Sequence, residues 1–521
     1  MNKHLQALVN AVKKGRGLEN ESEKISVSKT SRTAGSAYEK IRNAVEYEEE
    51  HLLRRNAIRR ILRRRRDIGE SDESRGSALL NEMIWAKYLP NNAVPVSLVS
   101  QIDAIISRHD VLFNALPEGE AGEQGKDWLL DVLSTEIEYA IEPPRAAEAL
   151  ANFMFDRISG GIEWKETKMQ KKEERDMLLY IAIHRALLKS NVATLRYRLF
   201  ALYVPDWSSR NAEEAKEVAS RLVQLARGIE SHIHHPLSDQ LFRLMRRHAF
   251  VFSVISDVVR DKPEQASEIL SDEDEFRKKI LKAAEARYGA FKTRLRRTVL
   301  RAVVFLFLTK MLLAIILELP YDAYILGELS WLPLGINIVF HPIFLAVIGT
   351  TVGVPVKKNN ARLTELAWQA VNGADAIQVF FHVKEPWLKG ALGRIFSVVY
   401  AMTYALSYGL IAWLLISVLN FNALSTALFL FFFSLVTFFG IKIRQSVREL
   451  LVIERQGSLI GTIFDFFLLP VVRVGRWISL RAPKVNIFIF FLDFIVEAPF
   501  KLGIEMIEGW IAFMREKKEE L

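Results

Sequence analysis

Apolar residues fall into two regimes along this chain. Up to about residue 297 they recur at helical spacing among many charges, and beyond it they gather into long runs. Tyr38, Ile41, Val45 and Leu52 keep three-, four- and seven-residue steps, which predicts an amphipathic helix. Further helix-length segments, such as 172–189 and 212–229, lie between Pro90, Pro95, Pro117, Pro143, Pro144, Pro205, Pro236 and Pro263. Alternating strand-type patterns are scarce and no repeat of fixed period is evident, so a bundle or array of helices is expected. Residues 1–36 are polar and weakly patterned and read as a flexible N-terminus.

The second regime contains four runs, about 302–319, 334–354, 395–419 and 423–441. A hydrocarbon core of about 30 Å needs roughly 20 helical residues, so each run can cross it. Only Asn420, Phe421 and Asn422 separate the last two, which predicts an antiparallel hairpin. Lys and Arg set the orientation. Lys278 to Arg297 precede the first run, and the 320–333 connection has Asp322 and Glu328 but no basic residue. Lys357, Lys358, Arg362, Lys384, Lys389 and Arg394 follow the second run, and Lys442, Arg444 and Arg448 follow the fourth. Basic loops inside and neutral or acidic loops outside give four crossings with both termini cytoplasmic.

The expected organisation is therefore all-α. A flexible stretch (1–36) is followed by a helical cytoplasmic domain (37–297) and a four-span polytopic membrane domain (298–458). The last part, 459–521, reads as short interfacial or re-entrant segments with an amphipathic tail. Leu459–Val472 contains Asp465 and Pro470 and is short for a crossing; Ile487–Val496 contains Asp493 and leads into Glu497 and Pro499.

Composition changes this picture only in places. A mean hydropathy just above zero averages a polar half and an apolar half. The formal charge of +9 is largely what basic loops require, so nucleic acid is not needed to explain it. The chain has no cysteine, which excludes disulfides, thiolate metal sites and cysteine nucleophiles. The N-terminus lacks the apolar stretch and cleavage site of a signal peptide. Gly119–Lys126 is Gly-rich but mis-spaced for a phosphate loop, and no zinc-protease, nucleophile-elbow or dinucleotide motif occurs. No enzyme activity and no cofactor are expected.

Ionisable residues within apolar runs carry the candidate chemistry, because each costs about 2.5–3.5 kcal/mol at a helix centre. Lys310 sits mid-way along the first run, with Glu318 eight residues on. His341 lies in the second run, one turn after Asn337 and before Pro342. Counted at roughly 1.5 Å per residue from the outer ends, Lys310 and His341 fall at similar depth. They predict a polar seam between the first two spans: an ion path with Asp465, Asp493 or Glu497 as counter-charges, or a structural interhelical pair. Tyr400, Tyr404 and Tyr408 form a stripe that fits packing with interhelical hydrogen bonds.

In the polar half, the arginine run with Arg59, Arg60, Arg63 and Arg64 fits either lipid headgroups or a salt-bridged helix face, and Arg473 and Arg476 are further headgroup candidates. His232, His234, His235 and Asp239 read as a polar loop rather than a metal site.

Residues 38–65, His235-Pro236-Leu237, Gly475-Arg476-Trp477 and Glu497 to Lys501 resemble tracts of uncharacterised multi-pass membrane proteins of candidate-phylum bacteria. The resemblance implies a bacterial inner membrane and transfers no activity. The reading is thus an inner-membrane scaffold or anchor that engages protein partners through its helical portion and anionic headgroups through its basic residues, with homo-oligomers left open. The alternative is a proton or small-cation transporter or channel using Lys310 and His341.

Overall fold

A computed structural model describes residues 2–14, 23–27, 50–68, 74–165, 171–353, 356–383, 391–453 and 459–481. In chain order the helices are α1 (Lys3–Lys14), α2 (Glu50–Ile68), α3 (Arg75–Trp85), α4 (Ser97–Asn114), α5 (Glu120–Ile141) and α6 (Arg145–Ser159). Strand β1 (Ile162–Lys165) precedes α7 (Lys172–Leu187), α8 (Val192–Tyr203), α9 (Ala212–Ser220), α10 (Leu222–Ile233), α11 (Ser238–Asp261) and α12 (Ala266–Ser271). Then come α13 (Glu273–Leu313), α14 (Trp331–Thr351), α15 (Val356–Asn372), strand β2 (Val379–His382), α16 (Ala391–Ser417), α17 (Ala423–Ser446) and α18 (Leu459–Arg481). The all-α expectation holds among the described residues, where the two short strands form one parallel pair, Ile162 opposite Val379.

The described residues form two compact units, one drawn from 2–9, 156–165 and 243–481, the other from 10–155 and 171–242. In the second unit α5 is central, packed by α2, α4 and α8. Its buried Glu136 accepts from Arg108 Nη2 (2.7 Å) and Trp207 Nε1 (2.8 Å) and lies 2.8 Å from His109 Nε2. Burial opposes ionisation, but His109, Trp207 and Arg108 together hold this carboxyl below its usual range. Burial, reinforced by the Arg198 charge, pushes His184 well below an ordinary histidine.

Two expectations need correction. The N-terminus is not simply flexible, because Lys3–Lys14 is helical. Leu5, Leu8, Val9 and Val12 keep helical spacing and are buried, a pattern short enough to be lost among the surrounding polar residues. The boundary drawn near residue 297 falls inside α13, a single helix of 41 residues. Asp272 caps that helix, its Oδ1 accepting from the Glu275 amide at 3.0 Å, and Glu273, Asp274 and Glu275 complement the helix dipole in the first turn. The polar part of α13 is clamped within its own unit. Arg287 Nη2 donates to Asp257 Oδ1 at 2.9 Å, Tyr288 Oη donates to Asn360 Oδ1 at 3.0 Å, and the Phe276 and Trp368 rings lie 5.7 Å apart.

Among the described residues, four helical stretches are long and apolar enough to cross a membrane: Glu273–Leu326, Trp331–Thr351, Ser397–Ser417 and Ala423–Leu450. They overlap all four runs named from sequence and contain the first and the fourth in full. Their outward faces are apolar, with Phe305 71%, Met402 65% and Trp413 59% exposed, far more contiguous apolar surface than a water-facing bundle tolerates. Asn420 adopts a left-handed conformation (φ 54°) in the predicted α16–α17 hairpin, a role open to asparagine at little steric cost. The stretch 459–472, expected as a short interfacial or re-entrant segment, is not short: it is part of the 23-residue α18, which continues through Pro470 and packs on α17 and α16. A Cβ on Gly475 would lie 2.1 Å from the Ser434 carbonyl oxygen, so only glycine permits this approach.

Two stability predictions follow from these contacts. Gly475→Ala should force α18 off α17 and lower the melting temperature of the detergent-purified chain, at a cost of about 1–3 kcal/mol; an unchanged melt would refute the packing. The depressed His184 means the unfolded chain takes up a proton there before the folded one does, so its stabilising effect is present above 6.5 and lost as pH falls below it. Denaturant midpoints should therefore drop on acidification below 6.5, with a second loss below 4.5 as Glu136 protonates. His184→Phe should flatten the upper part of that fall; a profile identical to the parent's would contradict the assignment.

A buried charged cluster between the apolar helices

The side chains predicted to form a seam come together. Lys310, Glu318, Asn337 and His341 are each no more than 1% exposed. Lys310 Nζ donates to Asn337 Oδ1 and lies 4.3 Å from the centroid of the Phe432 ring, whose face attracts a cation. Asn337 Nδ2 in turn donates to both Glu318 carboxylate oxygens, at 2.8 and 2.9 Å. An ammonium can only donate, so Lys310 fixes the amide with its oxygen toward the lysine and its nitrogen toward the carboxylate. Asn337 therefore links a buried cation to a buried anion.

The local backbone positions Glu318 for this contact. Residues Ala314–Glu318 and Tyr321–Leu326 are π-helical turns on either side of Pro320. Proline brings no backbone N–H, which disrupts the ordinary ladder, and a π turn holds an extra residue that shifts the faces following it. Ser425 Oγ of α17 donates to Glu318 Oε2 at 3.0 Å. One turn further toward the tight turns, Asn422 Nδ2 donates to Asp322 Oδ1 at 2.7 Å, while its own Oδ1 caps α17 by accepting from the Ser425 amide at 2.8 Å.

His341 lies one turn beyond Asn337 in the other direction. Its Nε2 is 3.1 Å from the Phe429 carbonyl oxygen and its Nδ1 is 3.3 Å from the Asn337 carbonyl oxygen. Carbonyls only accept, so a neutral imidazole with one N–H satisfies one of these two contacts. Beyond His341 the polar groups give way to a buried apolar cluster of Leu306, Leu345, Phe432, Val436 and Ile443. The far end is basic, and there Arg444 Nη2 donates to Thr351 Oγ1 at 3.2 Å.

Asp465 lies within α18, and Asp493 and Glu497 lie outside the described residues. Of the arginine run, Arg59 pairs with Asp127 (2.9 Å) and Asp131 (2.8 Å), Arg63 with Asp127 (3.5 Å) and Arg64 with Glu82 (2.5 Å), while Arg60 is engaged as well. These are the contacts of a salt-bridged helix face, the second of the two readings of that run. Arg473 sits 4.9 Å over the Tyr400 ring, and Arg476 adjoins Gly475 beside the middle of α17. Both are thus carried alongside α16 and α17 rather than beyond their ends. Tyr408 Oη and Ser434 Oγ share a 2.6 Å interhelical hydrogen bond, as the packing reading of the tyrosine stripe expects. His232 contacts the Gly228 carbonyl (2.8 Å), His234 contacts Glu230 (3.2 Å), and His235 accepts from the Leu237 amide (3.2 Å).

Sequence reasoning missed Ser425, Phe432, Asn422 and Asp322. An apolar run with a few hydroxyl residues is unremarkable, and only the facing helices reveal what these side chains meet. No protein-family model, curated protein or solved structure matches this chain.

Removing the bridge should cost more than removing the charges. Asn337→Leu leaves two buried ions without their link and should destabilise the detergent-purified chain by about 3–5 kcal/mol. The uncharged double variant Lys310→Met/Glu318→Gln should melt near the parent. If Asn337→Leu melts with the parent, the bridge does not hold these helices.

Proposed function

We propose that the protein is a multi-pass membrane scaffold of the bacterial inner membrane, with its helical N-terminal portion on the cytoplasmic side. The observation that carries this reading is the continuity of α13. One helix runs from the capped, charged turn at Asp272 into the apolar bundle, and its polar part is clamped by Asp257, Asn360 and Trp368. A flexible tether would need a glycine- or serine-rich joint at this place. A stiff helix instead fixes the membrane-proximal helices relative to the spans, as a platform for protein partners requires. Exposed Arg294, Arg296, Arg297 and Arg301 flank the first span and suit anionic headgroups.

A second reading, movement of protons or small cations, rests on a different observation. Lys310 and Glu318 are ionisable groups buried between apolar helices, Lys310 mid-way along the first run and Glu318 near its end, a placement that commonly marks a transport path.

The scaffold is tested by in-cell cross-linking of the full-length chain and of a variant with a short Gly-Ser insertion after Arg297. Both should resist alkaline carbonate extraction. The parent should cross-link a defined set of proteins and the interrupted variant should lose them. An identical pattern for both, or none above an unrelated membrane protein, would refute the scaffold.

A further inference from the structure

Resting on the second of these readings, we propose that the species moved is the proton, that Lys310 binds and releases it, and that Glu318 is its fixed counter-charge held through Asn337. Three observations lead to this. Among the described residues, the buried charged, amide and imidazole side chains of the spans occupy one half of the bundle only, the other half keeping a few hydroxyls such as Ser434 and Thr437. Asp322 with Asn422, Glu318 with Ser425, Lys310 with Asn337, and then His341 succeed one another at roughly one-turn intervals from the tight-turn end. From Asn422 to Phe432 α17 rises about 15 Å, half of a hydrocarbon core of roughly 30 Å. The apolar cluster around Leu306, Leu345 and Val436 closes the other half. A group at the bottom of such a ladder is reached from one side and shut off from the other, as alternating access requires.

The second observation concerns Lys310 itself. Its ammonium has three N–H groups, and among the described residues it makes one hydrogen bond, to Asn337, and faces one ring, Phe432. A lysine so held can give up a proton, whereas a fully hydrogen-bonded ammonium is committed to its charge. The charged groups facing it are few: Glu318 and, a turn further, Asp322 from its own chain segment, and titratable His341 from α14 across the Phe432 ring. From α17 it meets uncharged Ser425 and Phe432.

The third observation excludes a metal cation at this place. Such an ion needs a shell of oxygen ligands. Here the Glu318 oxygens already receive N–H groups from Asn337 and the hydroxyl of Ser425, and an ammonium stands where a cation would be repelled. The chemistry balances simply. Loading forms an N–H bond from the amine lone pair to a proton delivered by water, and release breaks that bond and returns the proton to water on the other side.

The test uses the full-length chain in vesicles containing a pH-sensitive dye, with a valinomycin-set potassium potential. Proton flux above that of protein-free vesicles is expected. Lys310→Arg keeps the positive charge and should keep the melting temperature, but arginine does not release its proton, so flux should fall to the protein-free level. Lys310→Met/Glu318→Gln should be equally silent while still folded. Parent-like flux in Lys310→Arg would overturn the role of Lys310. Sodium or potassium flux without proton movement would overturn the proton assignment and leave the transport reading standing. Absence of any cation flux in the parent would overturn both.

Discussion

The apolar bundle is organised by one constraint, the need to bury a lysine ammonium and a glutamate carboxylate without stranding either. Isolated, each charge would be prohibitive in an apolar interior, and as a bare pair they would depend on exact contact. Asn337 resolves this by donating to the carboxylate and accepting from the ammonium. Because Lys310 and Glu318 come from one segment, Asn337 from α14 and Ser425 from α17, the arrangement can be satisfied only when three helices are in register. The π turns around Pro320 follow from the same need, since they set the face on which Glu318 emerges. Apolar packing alone, between surfaces as greasy as the lipid, would leave that register poorly specified.

The same logic extends toward the charged end. Once α13 is fixed against α14 and α17, its uninterrupted helix carries that geometry into the membrane-proximal helices of its unit, where Arg287, Tyr288 and Phe276 hold it against α11 and α15. A scaffold and a proton path draw on this rigidity differently. The scaffold needs it to present a surface, and the path needs it to keep Lys310 between a polar ladder and an apolar seal.

Much of this was legible in the sequence because the relevant signals are long or costly. Run length located the four apolar helices, and a three-residue gap located the α16–α17 hairpin. Counting rise from the outer ends placed Lys310 and His341 together because a straight helix converts position into depth. What escaped notice depends on partners. Ser425 and Phe432 look ordinary until α17 is set against Lys310 and Glu318. Strand β1 is four residues paired with a segment more than 200 residues away, too short for alternation to register. The extent of α18 was misjudged because Pro470 and two arginines were read as an ending, whereas packing through Gly475 carries the helix onward. The arginines of α2 carried an unresolved choice, since the carboxylates that meet them lie on α3 and α5.

The absence of cysteine makes the decisive measurement simple. Single cysteines would be placed at Ser330, Ser425, Lys358 and Arg448 of the full-length chain and exposed, in sealed oriented membrane vesicles, to a membrane-impermeant thiol reagent. The account predicts labelling of position 330 from one side and of 358 and 448 from the other, with 425 protected from both until the protein is denatured. Labelling of all four from the same side would contradict the crossing of these helices and, with it, the burial of Lys310 and Glu318 within a bilayer.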